Sequence, residues 1–567
     1  MGLAAVVASA NPLWKQSSVE MGMDRSHDAW IEATFYWLSQ AVDATNQAQV
    51  AEKVDAGIAA AGPPEMERLL ISLVTQFNEL SSHPPRLRML MQALAARLLQ
   101  LLSEAIASTA DEHAAGDHNA ELDALREQPL LNPATLTDLY QRLSEVDEVA
   151  AAHALQMLAA QPDEESIDLL ADLLSNSPPN DWQQVALALS PLWRADSETL
   201  ALFYERLDTR SLHPSTLAIL IDLAGYSLRK DKLAEHPWQT RQAELVSLLA
   251  NVCQRLQMLE REPAKFGEDV QQVQRVLNDS VSLTISLCDA LGLIGDQQTA
   301  SAALLQAMQL SHRRLQTEAA AALVRLGVPE GQERLIALAS DPAARLRAVS
   351  YAEELDCAEL IDANLRSSLA LAEAELASWL TSPEQFGIPP QRMELLDSRT
   401  LYWPGYEEPQ ACYLFRYEYD LPAGQVSNLG IAGPATHAFT VDLTRLPIDD
   451  VYAIFAGWQV EHEDIFEIPM TQLNVAQRSE ADRLIGCLNA QQLQVTETIA
   501  LTFFLGEVAL IAEVEPVEAE SERARGHALT DGIETLHVRT RGGPAALTPA
   551  MIVALYRGRK LLRTFNS

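Results

Sequence analysis

The chain is poor in the residues that most often announce a chemistry. Its five cysteines, Cys253, Cys288, Cys357, Cys412 and Cys487, are odd in number, widely spaced and free of any C-x-x-C pair, which excludes a disulfide framework and a zinc knuckle and suits a reducing compartment. Aromatic residues make up only 6% of 567 residues, too few for a β-rich core. Cations are short as well: 41 Lys and Arg face 78 Asp and Glu, a formal charge of −37. A field of that sign repels phosphate backbones and anionic headgroups, so neither nucleic acid nor a membrane surface is an expected partner. No long apolar run is free of charge, since the greasiest stretch, "RLRMLMQALAARLLQLL", carries Arg86, Arg88 and Arg97. The opening "MGLAAVVASANP" has no Lys or Arg ahead of its short apolar run, unlike a secretory leader. H-E-x-x-H, G-x-G-x-x-G, the P-loop and G-x-S-x-G are all missing.

What is present is Leu and Ala in helical periodicity. Residues 1–107 read as an N-terminal helical region containing "DAWIEATFYWLSQAV", "PPEMERLLISLVTQFNEL" and "PPRLRMLMQALAARLLQLLSEAIA", each opened by the Asp or Pro that starts helices. Trp30, Phe35, Trp37 and Leu38 give the first of them a core-facing aromatic stripe. Residues 108–132, polar and acidic, read as a linker. From 133 to 385 amphipathic helices follow one another, with paired segments recurring every 31 to 34 residues. "DALGLIGDQQTASAALLQAMQLS" is echoed by "AALVRLGVPEGQERLIALASD", so that Leu291 and Gly295 align with Leu323 and Gly327. "RRLQTEAAAAL" is echoed by "ARLRAVSYAEEL", and a fainter pair covers 150–207.

The motif ALxxLGx followed by a second apolar helix resembles the HEAT-repeat family, and most closely the short HEAT-like repeats also found in phycobilin lyases. The resemblance implies an α-solenoid, in which no helix pair hides its apolar stripe alone and successive pairs stack into one core. It implies no activity, and no residue of a lyase site carries over. HEAT arrays that process DNA resemble basic grooves, which this acidic chain does not offer.

Residues 386–567 change style. Pro383, Pro389, Pro390 and Gly387 break the helical pattern. In "ACYLFRYEYD" the rings of Tyr413, Phe415, Tyr417 and Tyr419 alternate with other residues, which predicts a strand with one aromatic face. "THAFTVDLTRLP" and "GEVALIAEVEP" predict two more strands; "PIDDVYAIFAGWQVEHEDIF", "AQRSEADRLIGCLNA" and "TPAMIVALYRGRKLLRTF" predict helices. The acidic stretch 513–532 reads as an exposed excursion. The fold class is therefore mostly α: a helical N-terminal region, a HEAT-like α-solenoid and a C-terminal α+β domain.

Three places in that last domain carry candidate chemistry. "VEHEDIF" sets His462 among Glu461, Glu463 and Asp464, but consecutive helical residues radiate and cannot converge on one ion, so no metal site is expected. In "SNLGIAGPATHAFTVDL" a loop framed by Gly430 and Gly433 would let backbone N–H groups approach an anion, with His437 as base and Asp442 as its orienter. The tail gathers Arg539, Arg541, Arg557, Arg559, Lys560 and Arg563 without an intervening carboxylate, either to clamp the last helix onto the acidic repeat surface or to meet an acidic partner. Cys412 on the aromatic strand reads as a buried thiol. The function expected is a cytoplasmic protein-binding scaffold of bacterial style, needing no cofactor and taking a partner with a basic or mixed-charge segment. The alternative is a hydrolase or lyase centred on His437, Asp442 and His462.

Overall fold

In the computed structural model the protein is mostly helical with two small antiparallel sheets. The structure describes residues 31, 33–35, 44–108, 128–179, 181–207, 212–267, 269–382, 384–421, 424–460, 465–466, 473–504, 506–517, 525–539 and 547–566. The opening segment, Trp30, Trp37 and Leu38, most of the 108–132 linker, Arg541 and the quartet from Glu461 to Asp464 lie outside them. The chain forms two compact units, residues 1–311 with 325–328, and residues 312–324 with 329–567.

The first unit is built from α1 (Ala44–Ile58), α2 (Pro63–Thr75), α3 (Pro84–Ser108), α4 (Pro133–Leu143), α5 (Glu148–Ala160), α6 (Glu164–Asn176), α7 (Trp182–Ala188), α8 (Ser197–Arg206), α9 (Pro214–Arg229), α10 (Gln242–Arg261), α11 (Val270–Ile294) and α12 (Gln297–Met308), with a single-turn helix at Phe77–Leu80. Acidic residues start many of them. Asp147, Asp163, Asp181, Asp196, Asp269 and Asp296 each accept a hydrogen bond from a backbone N–H in the first turn, a cap worth about 1 kcal/mol. Helices pack both on their chain neighbours and on the helix two places away: α5 meets α3, α7 and α4, α6 meets α8, α9 meets α7 and α11, and α10 meets α12. Among the described residues one helix, α11, is long and apolar enough to cross a membrane, and over half of that stretch is buried inside the unit.

The second unit opens with α13 (Arg313–Arg325), α14 (Pro329–Leu338), α15 (Pro342–Glu354) and α16 (Ser368–Thr381). Gly327 turns the chain between α13 and α14 at φ +73°, the left-handed conformation glycine adopts without penalty. Buried Glu318 of α13 is held by Arg347 and Tyr351 of α15. Arg345, also buried, donates to the Ala339 and Ala370 carbonyls and to Glu373.

Two hairpin-built sheets follow. One has the order β1 (Arg392–Leu401), β2 (Gln410–Leu421), β3 (Gly424–Ala432), β4 (His437–Ala438); the helix α17 (Ile448–Gln459) comes next. The other runs β5 (Ile465–Phe466), β6 (Leu493–Phe504), β7 (Glu507–Pro516), β8 (Gly526–Thr530), β9 (Thr535–Arg539), with α18 (Val475–Ala490) before β6 and α19 (Pro549–Asn566) at the end. The aromatic strand is β2: Phe415, Tyr417 and Tyr419 pack under Leu376 and Leu380 of α16, while Cys412 and Leu414 point the other way. That opposite face, α17, α19 and one face of the second sheet share a single core; α18 covers the second sheet's far face. The layers run α16, sheet, α17 with α19, sheet, α18.

Three expectations need correction. The strand read in "THAFTVDLTRLP" is only His437–Ala438, because buried Asn428 takes over the ladder. Its amide donates to the Phe439 and Val441 carbonyls and accepts from Leu443 N–H, while Asp442 closes a turn on Thr444. The helix read through residue 466 stops at Gln459, and Ile465 and Phe466 pair with β6 instead. The acidic excursion 513–532 contains the end of β7 and all of β8, where Glu513 lies opposite His527 and bonds Arg525 on its outer side.

The two halves share one plan. Each is a helix, a four-strand meander and a second helix, with β1 and β6 both bulged, near Leu396 and Thr496. Their closing helices also echo in sequence: "LPIDDVYAIFAGWQ" and "LTPAMIVALYRGRK" match at Leu446 and Leu547, Ala453 and Ala554, Gly457 and Gly558, all at one interval. The match has a reason in the crossing of α17 and α19. A Cβ on Gly457 would run into the Ala554 carbonyl, and one on Gly558 into the Ala453 carbonyl, so the axes approach closely only because both residues lack one.

Gly457→Leu or Gly558→Leu should each destabilise the second unit by on the order of 3 kcal/mol, seen as an earlier transition in denaturant unfolding. Gly486→Ala on α18, with nothing within 4 Å of the added carbon, should instead stabilise by roughly 0.5–1 kcal/mol.

Candidate functional site

The helix crossing leaves a cleft of about 530 Å³ on one flank, floored by Leu401, Tyr452, Ala453, Leu536, Tyr556 and Leu562 and rimmed by Arg399, Arg559 and Arg563. Asp449 and Glu534 also reach it, so its lining holds three cations against two anions. Asp397 and Asp450 stand directly behind that rim and bond Arg399 and Arg559, so the three cations are met by four carboxylates in all.

Each rim cation is aimed by a carboxylate. Arg399 bonds Asp397 through Nε at 2.7 Å and Asp449 through Nη1 at 2.6 Å, and its guanidinium lies 4.9 Å over the Tyr452 ring. Arg559 of α19 closes on Asp450 of α17 through Nε, at 2.8 Å, and Nη2. Arg563 grips Glu534 with both terminal nitrogens at 2.8 and 2.6 Å. Arg399 keeps Nη2 and Arg559 keeps Nη1 for a further acceptor; neither makes a hydrogen bond among the described residues. Behind the rim Lys560 meets Asp531 at 2.6 Å and also Glu507, and Tyr556 donates its hydroxyl to Asp531. Burial would raise Asp531, but the hydrogen bonds from Lys560, Tyr556 and the Glu534 and Ile533 amides win and hold it well below the carboxylate range. Burial together with the Asp531 bond raises Tyr556, so its phenol stays protonated. Arg559, Lys560 and Arg563 of the basic tail are thus engaged inside their own unit, by Asp450, Glu507, Asp531 and Glu534.

Arg557 is directed elsewhere. It is buried at 1% exposure, the second largest fully buried side chain among the described residues, and donates through Nη2 to Thr502 of β6 at 3.1 Å. It supports the core and does not line the cleft.

Of the other sequence candidates, the described ones each have partners of their own. His437, on β4, stacks on Trp458 at 3.8 Å with the rings 12° apart and meets Phe439, Trp379 and Phe455 edge-on. Burial among these rings lowers its pKa to about 4, which keeps it neutral near pH 7. Asp442, the proposed orienter, accepts from Thr444 N–H and Oγ1. His462 lies outside the described residues. Gly430 belongs to β3, and a Cβ there would press into Leu376 of α16 at 2.8 Å; Gly433, at φ +120°, passes tight against the Ala411 carbonyl. Both glycines serve close packing. Cys412 is a buried thiol pushed up to about 12 by burial, and among the described residues no group of three or more His, Cys, Asp and Glu could hold a metal ion.

Sequence reading missed Arg399, Tyr452, Asp450 and Glu534 as parts of a site. The available signal was the A-x-x-x-G spacing repeated in "AIFAG" and "ALYRG", which marks two helices that touch. Compared with protein-family models, with curated proteins and with solved structures, the chain matches none of them.

His437 is lowered in the fold from about 6.5, so the unfolded chain binds its proton first. The stability it contributes is complete above pH 6.5 and is lost as pH falls toward 4. Unfolding of the second unit followed over that window should show a slope that flattens in His437→Gln; an unchanged slope would mean that His437 does not titrate as described.

Proposed function

We propose that this chain is a cytoplasmic protein-binding adaptor, in which the helix pairs between residues 133 and 385 are HEAT-like repeats and the stack within the first unit is an α-solenoid. The observation that carries this reading is the packing of α5 on α3 and α7, of α9 on α7 and α11, and of α6 on α8. Helices touching their second neighbours form two rows, which is how a solenoid hides stripes that no single pair can bury. Such a rack offers its partner a long surface of many small contacts, and the net charge of −37 favours a partner whose docking segment is basic or mixed in charge. Nucleic acid and anionic membrane are disfavoured by the same field. No cofactor is needed for such a role.

The C-terminal cleft fits this reading better than a catalytic one. It pairs an apolar and aromatic floor with arginines already fixed by carboxylates, and its described lining holds no histidine or cysteine; such a lining is suited to positioning a ligand.

Affinity capture by the immobilised full chain at low and at several-fold higher salt, read by mass spectrometry against blank resin, tests the proposal. A protein retained at low salt and released as salt rises is the expected result. Retention of nothing beyond the blank, or of nucleic acid in its place, would sink it.

A further inference from the structure

The two halves of the C-terminal module differ at one edge. In the second sheet the outer side of β6 is covered by β5, which sets Ile465 opposite Thr502 and Phe466 opposite Leu501. The counterpart of β6 in the first sheet is β1, equally bulged and equally paired with the long second strand of its hairpin. Among the described residues β1 has β2 on one side and no strand on the other. Ten residues of backbone are thus offered at an edge, an arrangement that proteins ordinarily blunt or cover.

One residue beyond the strand shows how that edge is satisfied when something reaches it. Tyr402 N–H donates to Asn566 Oδ1 at 2.7 Å, and Asn566 Nδ2 donates to the Tyr402 carbonyl at 3.0 Å. The side-chain amide does for Tyr402 what a neighbouring strand would do. Because backbone groups alternate in direction along a strand, those of Thr400 and Ser398 point outward with Tyr402. The intervening Arg399 and Leu401 turn their side chains into the cleft.

We propose that the free edge of β1 and the cleft beside it together take up an extended segment of a partner protein by strand addition. Backbone groups of the segment pair with Ser398 and Thr400. An apolar side chain enters over Tyr452, Leu536 and Leu562, and a neighbouring carboxylate meets the uncommitted Nη2 of Arg399 and Nη1 of Arg559. The argument for a carboxylate is local and directional: the carboxylates that hold Arg399 and Arg559 engage Nε and one terminal nitrogen of each, and leave the other terminal nitrogen of each facing no acceptor among the described residues. Main-chain pairing gives such sites their affinity, and the adjoining pocket gives them their preference. The inference rests on the adaptor reading only in taking its ligand to be a protein.

The test pans the full-length chain against a phage-displayed library of random linear peptides and measures the selected peptide by fluorescence anisotropy. A selected peptide should combine an apolar with an acidic residue and protect the Ser398 and Thr400 amides from hydrogen exchange. Methylating alternate backbone nitrogens of the peptide should weaken binding about tenfold or more, and methylating the intervening ones should not, since one set alone makes strand bonds. Thr400→Pro, which removes one outward N–H at an edge position that tolerates proline, should weaken binding to a similar degree, with the thermal transition recorded alongside. Selection of no peptide, peptides indifferent to both changes, or protection confined to other segments would overturn the proposal. If the partner found by affinity capture binds Thr400→Pro as well as the parent chain, the adaptor reading survives and strand addition is not its means. If capture fails but the peptide result holds, the reverse applies.

Discussion

The C-terminal module depends on one close approach, the crossing of α17 and α19 at Gly457 and Gly558. Two helices that meet backbone to backbone leave no room for large side chains at the contact, so the flanking residues must fill the space on either side. Away from the contact, the rings of Phe455 and Trp458 of α17 pack with Phe439 and His437. Beside it, Tyr452, Tyr556 and three arginines line an open cleft.

Charge is organised rather than merely abundant. The acidic excess of the chain includes aspartates fixed at helix starts, Asp163 and Asp296 among them, and carboxylates that hold arginines in place, such as Asp450 for Arg559. Exposed ion pairs contribute little stability singly, and Arg563 with Glu534 belongs to that class. Their value is directional. Arg399 is held from two sides, which fixes where its remaining N–H groups point, and Asp531 anchors Lys560 and Tyr556 from beneath.

Much of this was legible in the sequence where one periodicity governed a long stretch. The helices of the central region, the aromatic face of β2, the strand "GEVALIAEVEP" and the last two helices follow from apolar spacing that tertiary packing reinforces. Local alternation misled where a side chain replaced the sheet. Nothing in "THAFTVDLTRLP" announces that Asn428, on another strand, would claim its backbone. The strand β1 was hidden because "RMELLDSRTL" has an irregular pattern, the bulge at Leu396 shifting its alternation and both faces remaining partly exposed. The cleft was illegible for a different reason: its residues come from β1, α17, β9 and α19, far apart in the chain, and only the glycine spacing common to the two helices hinted that they meet.

The amide of Asn566 has a geometric consequence for β1. An uncovered sheet edge is ordinarily a seed for unlimited ribbon growth, because copy can add to copy with any offset. Here Asn566 in the last turn of α19 occupies the backbone groups of Tyr402 directly after Leu401, so a strand added there would be halted at that end. A stop at one end sets the offset of the newcomer.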